Sequence, residues 1–133
     1  MKGLTESQLN GKLRPMFRKH IDGGFWHRIE NVVAAGTFDT YVAGHGKAGW
    51  IELKVAGPRA KPEVRAGQPG FGYRCLESGV PAHVLIGSPN GTIRLCEGII
   101  MGDDWREHLV CEGRRDDKAF MNVVFRHCLN WWE

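Results

Sequence analysis

Closely spaced cysteines, long apolar runs and a lopsided charge are all missing from this sequence, and each absence excludes a class of protein. Cys75, Cys96, Cys111 and Cys128 are the only cysteines and none forms a C-x-x-C pair. Zinc sites draw their ligands from pairs a few residues apart, and the six histidines contain no H-x-x-x-H either, so a zinc centre is not expected. The thiols read as reduced, small and buried. No apolar stretch reaches the roughly 20 residues that cross a bilayer, and no secretory leader opens the chain, so a cytoplasmic protein without a membrane partner is expected. Net charge is only +3 and the pI about 8.8, a slight bias toward an acidic partner. The segment Gly87-Ser88-Pro89-Asn90-Gly91 is a turn without the lysine of a phosphate-binding P-loop. No repeat or low-complexity tract is present.

What remains suits one folded unit. A chain of 133 residues with 42% apolar side chains and five tryptophans can bury a core. The expectation is a single domain over 1–133, with a core in 5–100 and a C-terminal helical extension in 101–133. Residues 5–19 read as a helix capped by Thr5, with Glu6 in its first turn and Leu9, Leu13, Met16 and Phe17 at helical spacing. Pro15 argues for a break or kink in it. Residues 25–33, 38–43 and 49–55 read as three strands. The first two are separated by Ala35-Gly36-Thr37 and the last two by a turn through Gly44-His45-Gly46-Lys47. A basic loop over 56–67 leads to a short helix over 69–78, then to strands over 81–87 and 92–96. Residues 103–111 read as a short helix and 116–131 as a longer one, with Phe120, Val124 and Trp131 close to one face. The order helix, three-stranded meander, helix, strand predicts an α/β (α+β) sandwich with a mixed sheet and flanking helices.

The chemistry concentrates in Gly36-Thr37-Phe38-Asp39 and Trp50-Ile51-Glu52-Leu53-Lys54. Side chains alternate along a strand, so Glu52 and Lys54 share one face while Ile51, Leu53 and Val55 take the other. The hairpin can set Asp39 opposite Glu52. Two carboxylates meeting at one point repel unless a cation lies between them, and Mg²⁺ takes one or two carboxylates while keeping several waters. Such an ion polarises a phosphoryl oxygen and acidifies a bound water, and a neighbouring ammonium neutralises charge on the phosphate. The plainer alternative is an E-x-K ion pair on an exposed strand face.

These two segments, together with Gln68, resemble the motifs of the PD-(D/E)XK nuclease superfamily, and most of all its VRR-NUC branch with small stand-alone phage members. The resemblance covers about residues 5–87. It implies a restriction-endonuclease-like core and a site for Mg²⁺ or Mn²⁺ formed by Asp39, Glu52 and the Leu53 carbonyl. Lys54 is then the catalytic lysine, and Gln68 supports the site or contacts the scissile phosphate. Glu6 on the first helix matches a further acidic position, although an acid there also complements the helix dipole. Glu30 is a second candidate. Phe38 stands where the family usually has proline, and Pro69-Gly70 after Gln68 is an unusual helix start.

Arg59, Lys61 and Arg65 in the basic loop are placed to hold a DNA backbone, or form a solvated linker. Arg14, Arg18, Lys19 and His20 add a basic end to the first helix. His45 lies in the hairpin turn, and Trp131-Trp132 can dock on the core, on a partner or on an unpaired base. The expected activity is metal-dependent endonucleolytic cleavage of DNA, in the host cytoplasm if phage-encoded. With no recognition helix or finger, branched DNA such as a Holliday junction is favoured over sequence-specific cutting. Symmetric cutting calls for a homodimer, and the face of the C-terminal helix carrying Phe120, Val124 and Trp131 is the expected interface. A non-catalytic DNA-binding module, a structural protein with a surface Glu52–Lys54 pair, and an RNA substrate are the alternatives.

Overall fold

The computed structural model describes residues 3–29 and 36–132. Helix α1 (Glu6–His20) starts at Thr5, whose hydroxyl accepts from the Gln8 amide at 3.1 Å while the Gln8 side chain accepts from the Thr5 amide at 2.9 Å. This reciprocal pair satisfies two otherwise orphaned amides. Leu9, Leu13 and Phe17 form its buried stripe. The break expected at Pro15 does not occur, since α1 runs unbroken through it. The carbonyl that proline deprives of a donor belongs to Gly11, which is exposed and can turn to water. Burial of the three-residue stripe outweighs that loss.

Strands β1 (Phe25–Arg28), β2 (Thr40–Gly44) and β3 (Lys47–Val55) form an antiparallel meander. Both residues of the tight β2–β3 turn, His45 and Gly46, have positive φ, at 54° and 74°, which matches the right-handed twist of the strands it joins. Among the described residues, strand β1 covers Phe25–Arg28 of the expected span of 25–33. Its pairing extends to the Ile29 amide, which donates to the Asp39 carbonyl at 2.6 Å. The remainder of that span, with Glu30, lies outside the described residues.

Helix α2 (Gln68–Glu77) then crosses over to β4 (Ala82–Gly87), which pairs parallel with β3 and is the sheet's one parallel step among the described strands. Strand β5 (Thr92–Glu97) follows antiparallel, and a single 3-10 turn (Trp105–His108) leads to β6 (Leu109–Arg114). Helix α3 (Lys118–Leu129) closes the chain. The six strands lie in sequence order.

The last third differs from expectation in two respects. The helix read over 103–111 is only that one 3-10 turn, and Leu109-Val110-Cys111 opens a sixth strand against β5. Glu112 and Arg114 at its end suit an edge strand, where charge discourages further pairing, and they disguise the strand in the sequence. Residues 101–133 therefore contribute a strand to the sheet as well as helix. The expected interface on α3 is also overturned. Val124 is fully buried, and Phe120 and Trp131 pack on the same core cluster as Leu13, Phe17 and Leu53. That face packs mainly on the chain's own core. Trp131 also stacks on His45, with ring centroids 3.9 Å apart, so of its possible roles docking is the one realised.

The sheet has two covered faces. Helices α1 and α3 bury Ile51, Leu53, Leu85, Ile93 and Leu95 on one side. On the other, α2 and the 3-10 turn cover Phe38, Val84, Ile86, Cys96, Ile100 and Trp105. All four cysteines are free. Burial pushes the Cys96 and Cys111 thiols up to about 12 and about 11, so neither supplies a reactive thiolate near neutrality. No described helix is long and apolar enough to cross a membrane.

Candidate active site

Alternation along β3 places Glu52 and Lys54 on the α2 side of the sheet, opposite Ile51 and Leu53. Because that side is covered too, both charged residues are only 4% exposed. The surface-pair alternative is thereby removed: Lys54 Nζ lies 3.5 Å from Glu52 Oε2 with both side chains buried. Buried charges are retained only where they are matched.

Asp39 sits one residue before β2, in line with the Thr40–Ile51 pair, and therefore faces Glu52. Two reciprocal bonds lock the pair: the Asp39 amide donates to Glu52 Oε1 at 3.0 Å, and the Leu53 amide donates to Asp39 Oδ1 at 3.2 Å. The Thr40 hydroxyl donates to the same Asp39 oxygen at 2.8 Å. The approach to this point is built by Phe38, fully buried and packed on Phe71 of α2 with ring centroids 4.8 Å apart. A large apolar anchor thus occupies the position where the resembled family has proline.

Gln68 comes to the same place. It is 5% exposed, its Oε1 accepts from the Arg65 amide at 2.9 Å, and its side chain lies close enough to Glu52 to favour that acid's charged form. Pro69 opens α2, where its missing amide costs nothing. The turn before Asp39 and the start of α2 touch at Gly36 and Gly67. A Cβ on Gly36 would fall 2.3 Å from the Gly67 carbonyl oxygen, and φ there is +89°. Gly36→Ala is therefore expected to cost at least about 2 kcal/mol through clash and backbone strain, read as a lowered midpoint in urea unfolding.

The electrostatics show the strain of two acids in one buried place. Burial, and then the charge of Asp39, push Glu52 up to about 7, against the pull of Lys54, of the bond from the Asp39 amide and of Gln68. Asp39 is raised as well, chiefly by burial and slightly by Glu6, while Thr40, Leu53 and Arg28 draw it back. The unfolded chain ionises Glu52 near 4.5 and the folded chain near 7, so folding loses stability as pH rises between those values and the cost is constant above them. Glu52→Gln carries no such charge. Without divalent metal, the variant is expected to match the parent near pH 4 and to exceed it by on the order of 3 kcal/mol at pH 8. Chemical unfolding of both proteins across that range checks it; an equal gap at both pH values would contradict it.

A divalent cation would relieve this repulsion, and the oxygen donors fit Mg²⁺ or Mn²⁺. Asp39 and Glu52 form the carboxylate pair. Among the described residues no cluster of three or more His, Cys, Asp or Glu forms a metal site. Glu6 is near enough for its charge to act on Asp39 but does not complete such a cluster. Arg59, Lys61 and Arg65 are all exposed on the loop after β3.

No protein-family model matches the chain, and no curated protein does. Among solved structures it is similar to Hjc, a Holliday junction resolvase from the archaeal hyperthermophile Archaeoglobus fulgidus. The TM-score is 0.59 at 12% identity, over 90% of this chain and 98% of that one. The fold is resolvase-like. At that identity the likeness is one of fold alone. It spans nearly all of the resolvase, so the resolvase-like architecture extends beyond the residues 5–87 that carry the resemblance.

Two participants escaped the sequence reading. Thr40 holds Asp39, and nothing in its type distinguishes it from an ordinary strand threonine. Arg94 was legible in principle: in Ile93-Arg94-Leu95-Cys96 it shares a face with Cys96, and a sheet covered on both sides must bury it.

Proposed function

We propose that the chain is a divalent-metal-dependent endodeoxyribonuclease, a PD-(D/E)XK enzyme of VRR-NUC type, that cuts branched DNA such as four-way junctions. The observation that carries this reading is the buried Asp39–Glu52 pair with Lys54 and Gln68 against it, on a resolvase-like fold. Asp39 and Glu52 would hold Mg²⁺ or Mn²⁺, with the Leu53 carbonyl as a further ligand and Glu6 contributing charge from α1. When bound, the metal supplies Lewis acidity toward a phosphoryl oxygen. Lys54 meets the negative charge that grows on the phosphate as water attacks phosphorus. Gln68 fixes Glu52 and the start of α2 together. The P–O3′ bond breaks, leaving 5′-phosphate and 3′-hydroxyl ends. Arg59, Lys61 and Arg65 lie along the chain leaving the site and would track the backbone.

The whole of 1–133 acts as one domain in this reading, and symmetric cutting of a junction requires two such sites, hence a homodimer. The test is incubation of labelled four-way junction, linear duplex, single-stranded DNA and RNA with the protein in Mg²⁺, Mn²⁺ or EDTA. Metal-dependent cleavage with preference for the junction is expected. Binding without cleavage in any metal would leave a non-catalytic DNA-binding module instead, and cleavage in EDTA would remove the metal from the reading.

A further inference from the structure

Arg94, near the middle of β5, is fully buried, and among the described residues no salt bridge takes its charge. Its guanidinium instead forks onto two main-chain carbonyls, Gly57 at 2.8 Å and Ala60 at 2.9 Å. These are the first and fourth residues of a β-turn, closed by the Ala60 amide donating to Gly57 at 3.0 Å. Pro58 takes the second position, which proline favours. Arg59 takes the third, at the exposed tip. The guanidinium also lies 4.3 Å from the centre of the Trp105 ring, over which Arg106 stacks at 4.5 Å.

The register connects this clamp to the site. Lys54 pairs with Ile86 and Ile86 with Arg94, so Lys54 and Arg94 share a face of the sheet. Two strand spacings separate them, about 10 Å. A buried residue needed only to fill space would do as well without charge. Binding both ends of one turn at once, while stacking on an indole, uses the planar fork that only arginine has.

We propose that Arg94 is a positioning residue. It holds the 57–60 turn in one pose so that Arg59 at the tip grips a DNA backbone phosphate beside the catalytic centre. The inference rests on the DNA-cleaving reading above and adds to it the residue that orders its grip.

Binding of four-way junction DNA in EDTA, followed by fluorescence anisotropy across a salt series, tests this without cleavage. The proteins are the parent, Arg59→Ala, Arg94→Met, Arg94→Lys and the Arg59→Ala/Arg94→Met double variant. Arg59→Ala and Arg94→Met are each expected to weaken binding about 5–10-fold and to reduce the salt slope by about one. The double variant should bind within about twofold of either single one, because both remove the same contact. Arg94→Lys, which keeps the charge but cannot fork, should bind like Arg94→Met, and it carries the test if Arg94→Met does not fold. Hydrogen exchange at the Ala60 amide should quicken in both Arg94 variants and not in Arg59→Ala. Parental affinity in Arg94→Lys, or losses that add in the double variant, would overturn the proposal while leaving the nuclease reading intact. A parent that binds no DNA would overturn both.

Discussion

Asp39→Asn is expected to lower metal-dependent cleavage by at least about 10³-fold, while junction binding in EDTA stays within about twofold of the parent. The size follows from what the carboxylate does. A metal's Lewis acidity is worth several kcal/mol of transition-state stabilisation, and each 1.36 kcal/mol is tenfold in rate. Asparagine keeps the oxygen that accepts from Leu53 and Thr40, so the fold should hold. It also removes one of two repelling charges, which should bring Glu52 down from about 7. A protein with an ordinary Glu52 and no cleavage would separate catalytic loss from unfolding. Single-turnover rates with excess enzyme, beside thermal melts, provide the comparison. Retention of more than a tenth of parental cleavage would show that Asp39 is not a metal ligand.

Lys54→Met, which keeps most of the buried stem and removes the charge, is expected to lower the single-turnover rate about 10²–10³-fold, the usual cost of losing one preorganised electrostatic contact at a transition state. The half-saturating DNA concentration should change little, because a group that acts on developing charge contributes little to ground-state binding. A second signature separates this from a purely structural pair. Lys54 is one of the groups pulling Glu52 down, so its loss should displace the acid limb of the rate–pH profile upward. A variant with parental rate and only reduced stability would make Lys54 a structural partner of Glu52.

The sequence carried the site better than its surroundings. Period-two alternation fixed which way Glu52 and Lys54 face, and the short Gly-containing hairpin brought Asp39 opposite Glu52, because a two-residue turn leaves the register no freedom. That these charges are buried was not legible, since it depends on α2 folding over the same face. Proline at position 15 misled because its cost depends on whether the carbonyl four residues earlier can reach water, and exposed Gly11 is known only from the fold. The sixth strand was missed because its charged end looks like a helix surface when β5 is not in view. The α3 face read as an interface is an amphipathic stripe, and such a stripe cannot tell its own core from a partner's. The clamp at Arg94 joins residues more than thirty positions apart, and no local pattern records that.

The central claim is that Asp39 and Glu52 share one hard cation. Anomalous scattering from crystals of the protein grown with Mn²⁺ tests it most directly. A single strong peak between the carboxylates of Asp39 and Glu52, at the roughly 2.0–2.2 Å typical of small divalent ions and oxygen, and absent from Asp39→Asn crystals, is the predicted result. Manganese bound elsewhere while these two carboxylates remain metal-free at pH 8 would contradict it.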